Sequence, residues 1–398
     1  MAKNENKMIT FDEGLEVITR LARPLVTERV RLADALTRVL AEDVFSDVSM
    51  PPFNKSAMDG YACRKSDILN VLEIIDEIPA GSLPSKTIGV GQCARIMTGA
   101  MVPDGADVVI MKEHAEEIAP GRVQCVPQNS VTNICYKGED VKAGDMVLKK
   151  GALIAPAQIA ILASAGHIQP LVYRTPSVAI ISTGSELVEP DCVPEASKIR
   201  NSNSYQLAAQ VRQMGIEAEY LGIAPDDEIQ LTGLLKQAMD KYQVILVSGG
   251  VSVGDFDFVP KILKQQGVAI RVHGMDVKPG KHLLFGERDD RFIFGLPGNP
   301  VSSFVQFEVL VKPFLKAMMG HIATDMKLYL PLGVEYSRKK SDQLFFVPAT
   351  FSAHGSVVPL EYHGSAHIHA YTMAHGIMEI PAGVLKLKKG DLVCVRPL

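Results

Sequence analysis

At 398 residues the chain exceeds one ordinary core and calls for roughly two to four domains. Its 47% apolar and 22% charged residues describe a folded chain rather than a disordered one. The formal net charge of -4, with Lys and Arg spread throughout, excludes a general nucleic-acid binder, which needs a concentrated basic face. A local pocket for a small anion stays open.

The opening MAKNENKMIT has no apolar stretch of a secretory signal, and no apolar run approaches the ~20 residues of a membrane span. The expectation is a cytoplasmic protein with no membrane partner. Thr10 and Glu13 have capping-box spacing, and Val17, Ile18, Leu21, Ala22 and Leu25 follow at helical intervals. A strand around Glu28 to Leu32, a short helix from Ala33 to Glu42, and a loop from Phe53 to Gly60 after Pro51-Pro52 come next. Up to Tyr136, short β-type stretches (Val71 to Ile75, Val108 to Met111, Val123 to Val126) alternate with turns, predicting a small β-rich domain. Asp145 to Leu153 reads as a β-hairpin arm, and Pro156 to Ala165 as an apolar helix. The six cysteines lie scattered without a C-x-x-C pair, which predicts buried thiols in a reducing compartment.

Beyond Pro176 the pattern becomes β-α-β-α. Strands are expected at Ser177 to Ser182, Glu217 to Ile223, Gln243 to Val247 and Phe292 to Phe294. Helices are expected at Ser204 to Met214, Asp226 to Asp240, Pro260 to Gln266 and Val301 to Met318. Continuous apolar strands alternating with helices call for an open, mostly parallel sheet covered on both faces. After His321 short strands and turns form a separate C-terminal β domain. The fold class is therefore multidomain α/β and β, with a central open, mostly parallel α/β sheet, a β-rich inserted domain and a C-terminal β domain. The predicted segments are 1–50 with 137–173 (N-terminal and dimerisation), 51–136 (β-rich insert), 174–321 (α/β) and 322–398 (C-terminal β).

Open α/β sheets bind ligands at the carboxyl ends of their strands. Three loops there hold small residues, hydroxyls and, by expectation, free backbone N–H groups: Thr183-Gly184-Ser185-Glu186, Ser248-Gly249-Gly250 with Ser252, and Pro297-Gly298-Asn299-Pro300 at a helix start. One such loop is more often a tight turn than an anion site; three on one sheet point to a phosphate-bearing ligand. None fits the Rossmann or P-loop spacing. The acids Glu186 and Asp257 beside these loops would repel an anion without a metal, so they are candidate Mg²⁺ ligands. Lys278 and Lys281, in K-P-G-K just before the last expected strand, can supply charge for an oxyanion. His363, His367, His369 and His375 have no zinc-motif spacing and read as a polar, partly exposed strand region.

These loops resemble those of molybdopterin-binding proteins. Pro51-Pro52-Phe53-Asn54-Lys55-Ser56-Ala57-Met58-Asp59-Gly60-Tyr61-Ala62 is similar to the signature of the molybdenum-inserting enzymes, which include the C-terminal part of gephyrin and a plant insertase domain. Thr98-Gly99-Ala100 with Pro103 to Val109, and Gly138 to Val141 with Gly144-Asp145, resemble further family segments. The resemblance implies a molybdopterin-binding fold and an elongated homodimer. It also implies hydrolysis of adenylylated molybdopterin with Mg²⁺ and molybdate, release of AMP, and delivery of molybdenum to the dithiolene. By the same resemblance Asp59, Thr98, Asp140, Glu186, Asp226, Asp257, Lys278, Lys281, Pro297, Pro300 and Ser365 fall on functional positions. Asp59 would serve the other subunit's site.

Three departures lie near the pocket that the resemblance implies for molybdate. His282 follows Lys281 where many members have Pro, Gly274 stands where a basic residue is frequent, and no Arg matches near Asp342. Two alternatives accompany molybdenum insertion: a pterin adenylyltransferase or related pyrophosphatase, and a non-catalytic gephyrin-like scaffold.

Overall fold

A computed structural model describes residues 8–126, 131–251, 258–321 and 326–398. The chain folds into two compact units, one of Met1–Glu42, Gly151–Ala155 and Pro170–Leu398, the other of Asp43–Lys150 and Pro156–Gln169. No helix among the described residues is long and apolar enough to cross a membrane.

The larger unit is built on a six-stranded sheet. Its order is Ala218–Ala224, Val178–Thr183, Val244–Ser248, Arg291–Leu296, Leu284–Arg288, Ala269–His273. The first four strands are parallel, and the last two run antiparallel along one edge. Val178–Thr183 and Val244–Ser248 are buried at every position, because helices cover both faces. Successive residues of these strands enter opposite clusters. Val178, Ile180, Val244 and Leu246 join one with Phe285, Phe294 and Phe314, while Ala179, Ile181, Ile245 and Val247 join another with Leu231, Leu235 and Ile262. The expected helix from Val301 to Met318 is present as one helical run, with a π turn at Phe307–Val311 between Pro300–Gln306 and Lys312–Met318.

A second six-stranded sheet in this unit carries the C-terminal residues. Its main antiparallel strands are Leu344–Phe351, Gly376–Ile380, Leu392–Pro397 and Leu328–Pro331. Val277–Lys278 joins its edge in parallel. The N-terminal helix Phe11–Leu21 starts in the expected capping box. The Glu13 N–H reaches Thr10 Oγ1 at 3.3 Å, and the Thr10 N–H reaches Glu13 Oε2 at 2.8 Å.

In the smaller unit the sheet order is Val108–Met111, Gly60–Cys63, Gln92–Ile96, Val71–Ile78, Arg122–Cys125, Ala115–Ala119. Tyr61 and Cys63 face one apolar cluster and Ala62 the other, the period-two pattern of a sheet covered on both sides.

Several expectations need correction. No helix spans Ala33 to Glu42: Leu32–Asp34 makes a single 3₁₀ turn, Thr37 takes a left-handed φ of 66°, and Val39 and Leu40 bridge to Leu153 and Val172. Phe53 to Gly60 is not wholly loop, since Lys55–Ser56 pairs with Ile134–Cys135 and Gly60 opens a strand. The arm after Asp145 forms no local hairpin; Met146–Leu148 pairs with the distant Val44–Phe45. Cys63, Cys93 and Cys125 are buried, and burial pushes their thiols up, whereas Cys192 is exposed.

Candidate active site

The carboxyl ends of three neighbouring parallel strands stand level, with Ser182 paired to Ser248 and Ser248 to Leu296. Their loops therefore meet and line a cleft of about 770 Å³. Its wall brings together Thr183, Gly184, Glu186, Asp226, Ser248, Gly249, Gly250, Pro297, Gly298, Asn299 and Pro300, all expected from the sequence. Ser252 and Asp257 lie outside the described residues.

Close approach explains the glycines. A Cβ on Gly249, whose φ is +94°, would sit 2.6 Å from the Thr183 carbonyl oxygen, and one on Gly250 would sit 2.7 Å from Thr183 Oγ1. On Gly184 it would meet the Glu186 carboxylate at 2.5 Å, so that carboxylate lies over the loop. It makes no hydrogen bond or ion pair with a described residue. Thr183 Oγ1 is buried and also lacks a partner, an arrangement that normally requires a ligand or water to complete it.

The expectation of free N–H groups holds only in part: those of Glu186, Gly250, Gly298 and Asn299 have no acceptor among the described residues, while others are taken up within the fold. Gly184 N–H donates to the Ala224 carbonyl at 3.2 Å, Ser185 N–H to Asp226 Oδ2 at 2.9 Å, Gly249 N–H to the Leu296 carbonyl at 2.9 Å, and Val301 N–H to the Ser365 carbonyl at 3.0 Å. Side-chain hydroxyls and amides must therefore supply more of any ligand's hydrogen bonds than the loop composition suggested. Ser185 and Asp226 hold each other, since the Asp226 N–H also reaches Ser185 Oγ at 3.2 Å.

The segment Arg200-Asn201-Ser202-Asn203 also lines the cleft and was not singled out from the sequence. Asn203 Nδ2 donates to Ser248 Oγ and to the Gly298 carbonyl, both at 2.8 Å, and so ties two of the loops together. Beneath it Asn201 accepts from Ser182 Oγ at 3.0 Å and donates to Tyr220 Oη at 2.7 Å, which in turn donates to Glu189 at 2.7 Å. The available signal was a run of short polar residues just ahead of a helix in a ligand-bearing sheet.

Lys278 and Lys281 are exposed and are not on this wall. Lys278 belongs to the strand joining the C-terminal sheet, with Nζ 5.3 Å from the centre of the Phe345 ring. The K-P-G-K turn precedes the antiparallel strand Leu284–Arg288, which lies between Arg291–Leu296 and the edge strand Ala269–His273, rather than the last strand. His282 does line the cleft, as does Ala366 beside Ser365. The histidines lie on no strand: His363 and His367 are in a loop and His369 in the 3₁₀ turn Ile368–Met373, their rings stacked with centres 5.0 and 6.3 Å apart, while His375, just before the strand Gly376–Ile380, contacts Thr350 Oγ1 at 2.7 Å.

In the smaller unit Asp59 and Thr98 come together. Thr98 N–H and Oγ1 donate to Asp59 Oδ1 at 2.8 and 2.7 Å, and Lys112 Nζ stands 3.6 Å from Oδ2. Thr98's two hydrogen bonds, more than Lys112's charge, hold the Asp59 carboxyl below its ordinary value. A depressed carboxyl contributes stability above its unfolded pKa of about 3.9, and that contribution is lost as pH falls through the folded value. Thr98→Val is expected to raise the Asp59 pKa, read by carboxyl-carbon NMR titration; an unmoved titration would remove Thr98 as the cause. Asp140 is exposed on the Gly138–Val141 turn, its N–H bound to the Met50 carbonyl at 3.1 Å.

Residues 9–166 match the family model for the MoeA N-terminal region (domain I and II), and residues 179–317 match that for a probable molybdopterin binding domain. The molybdopterin molybdenumtransferase of Staphylococcus aureus is 34% identical over 403 residues, covering 99% of this chain and 96% of its own. That of Staphylococcus epidermidis is 34% identical over 405 residues, covering 99% and 97%. The crystal structure of the molybdopterin biosynthesis moeA protein from Pyrococcus horikoshii OT3 is similar with a TM-score of 0.81 at 29% identity, covering 98% of this chain and all of that one.

Proposed function

The chain belongs to the molybdopterin molybdenumtransferase family, and on that premise we propose that it inserts molybdenum from molybdate into adenylylated molybdopterin with Mg²⁺-dependent release of AMP. The observation that carries this reading is the cleft where three parallel strands end. It combines hydroxyls that suit phosphate oxygens with the carboxylates of Glu186 and Asp226.

Mg²⁺ takes one or two carboxylates, filling its remaining positions with phosphate oxygens and water. The donors on the wall fit that requirement, with Glu186 as the described ligand and Asp257 the second by sequence. When bound, the ion would neutralise charge on the pyrophosphate. Thr183, Ser185, Ser248 and Ser252 supply hydroxyls to phosphate oxygens, and Gly184, Gly249, Gly250, Gly298 and Asn299 let the ligand approach the main chain. Glu186 orients the attacking water or the metal, and Asp226 fixes the Ser185 loop. By resemblance Lys278, Lys281 and Ser365 receive molybdate, Pro297 and Pro300 shape the cleft, and Asp59, Thr98 and Asp140 serve catalysis. The cytoplasm, expected from the sequence, is the compartment we propose for the reaction.

The test is incubation of the purified chain with adenylylated molybdopterin, Mg²⁺ and molybdate. AMP release that requires Mg²⁺ and rises with molybdate is expected; pyrophosphate formed from ATP and molybdopterin, without AMP, would instead identify an adenylyltransferase. The proposed active form is a homodimer in which Asp59 serves the partner subunit's reaction. Mixing Asp59→Asn chains with Glu186→Gln chains is then expected to restore part of the lost activity, because each mixed dimer keeps one intact set. No recovery despite demonstrated subunit exchange would assign Asp59 to its own subunit or to no site.

A further inference from the structure

We propose that Arg200 is the phosphate-gripping cation of the cleft, holding a phosphate group of the substrate between its two terminal amino groups; this deepens, and rests on, the functional reading above. The cleft must hold a polyanion, yet its wall carries the carboxylates of Glu186 and Asp226. Among the described residues on that wall, Arg200 is the one with a permanent positive charge, His282 being the other basic side chain. The nearby lysines are not on the wall. Lys198 Nζ donates to the Ser185 carbonyl, and Lys278 lies over Phe345.

Arg200 is also built for the task. It sits on a two-residue strand, Ile199–Arg200, that pairs in parallel with Leu187–Val188, directly after Glu186. The Glu186 carbonyl accepts the Ile199 N–H at 2.8 Å, so the arginine is anchored to the same loop as the candidate metal ligand. Its Nε donates to the Cys192 carbonyl at 3.0 Å, which restrains the guanidinium plane. Both terminal nitrogens have no partner among the described residues. They form the planar fork that matches two oxygens of one phosphate, a geometry that the ammonium of a lysine does not reproduce.

The test compares wild type, Arg200→Gln and Arg200→Lys in the full chain by titration calorimetry, with AMP and adenosine as probes. Arg200→Gln is expected to weaken AMP binding by about 10-fold or more while leaving adenosine unchanged, and Arg200→Lys to recover part of the loss. Equal AMP affinity in wild type and Arg200→Gln overturns the assignment, as does equal weakening of AMP and adenosine, which would mark a merely structural residue. Failure of wild type to bind AMP more tightly than adenosine overturns it too. Turnover separates the two claims. A wild type that consumes adenylylated molybdopterin, beside an Arg200→Gln variant of undiminished AMP affinity, removes Arg200 alone; a wild type without turnover removes the functional reading as well.

Discussion

Glu186→Gln is expected to lower turnover by at least about 10²-fold, the scale of removing a positioned acid–base group. The substitution keeps the side chain's size and removes its charge. The carboxylate lies over Gly184 on the wall of the cleft and makes no hydrogen bond with a described residue, so folding should lose little. Melting temperature within a degree or so of wild type, as an order-of-magnitude expectation for a surface substitution, should accompany the lost activity. Normal turnover would take Glu186 out of the chemistry; a large drop in melting temperature would assign it to the fold.

The largest loss of stability is expected at Gly60 in the smaller unit. Gly60 is buried where its strand pairs antiparallel with Val108–Met111, and an added Cβ would stand 1.9 Å from the Ile110 carbonyl oxygen. Backbone cannot turn away as a flexible side chain can, so Gly60→Ala should cost about 3 kcal/mol or more. Gly233→Ala is the control with the opposite sign. Gly233 is exposed inside the helix Glu228–Lys241, nothing lies within 4 Å of the new methyl, and helix propensity favours alanine by about 0.5–1 kcal/mol. Denaturant unfolding followed for both variants would check the pair; equal stability would show that the sheet yields at Gly60.

The middle of the central sheet was legible because Val178–Thr183 and Val244–Ser248 are unbroken apolar runs and the helix between strands, Glu228–Lys241, buries Leu231, Leu235, Ala238 and Met239 at helical spacing. The two antiparallel strands, Leu284–Arg288 and the edge strand Ala269–His273, were not, because both are short and Gly286 and Arg271 interrupt their apolar pattern. Ala33 to Glu42 shows the reverse error. A helical composition there was overridden by long-range bridges from Val39 and Leu40, which local spacing does not encode. At the site, the three loops were readable from their position after strands. Arg200 and Asn203 were not, because the polar run that holds them gains meaning only from the two-residue strand and the helix start that place it on the cleft. The use of the loop N–H groups was likewise invisible, since acceptors such as the Ala224 and Leu296 carbonyls come from neighbouring strands.

A molybdenum balance decides whether this chain couples cleavage of adenylylated molybdopterin to metal delivery, as proposed. Purified chain, Mg²⁺, radiolabelled molybdate and adenylylated molybdopterin are allowed to react, and AMP and pterin-bound molybdenum are counted in the same sample. Equal amounts of the two are expected, both at least about 10²-fold lower in Glu186→Gln. AMP formed in the presence of molybdate with no label on the pterin would contradict this coupling and leave a pyrophosphatase.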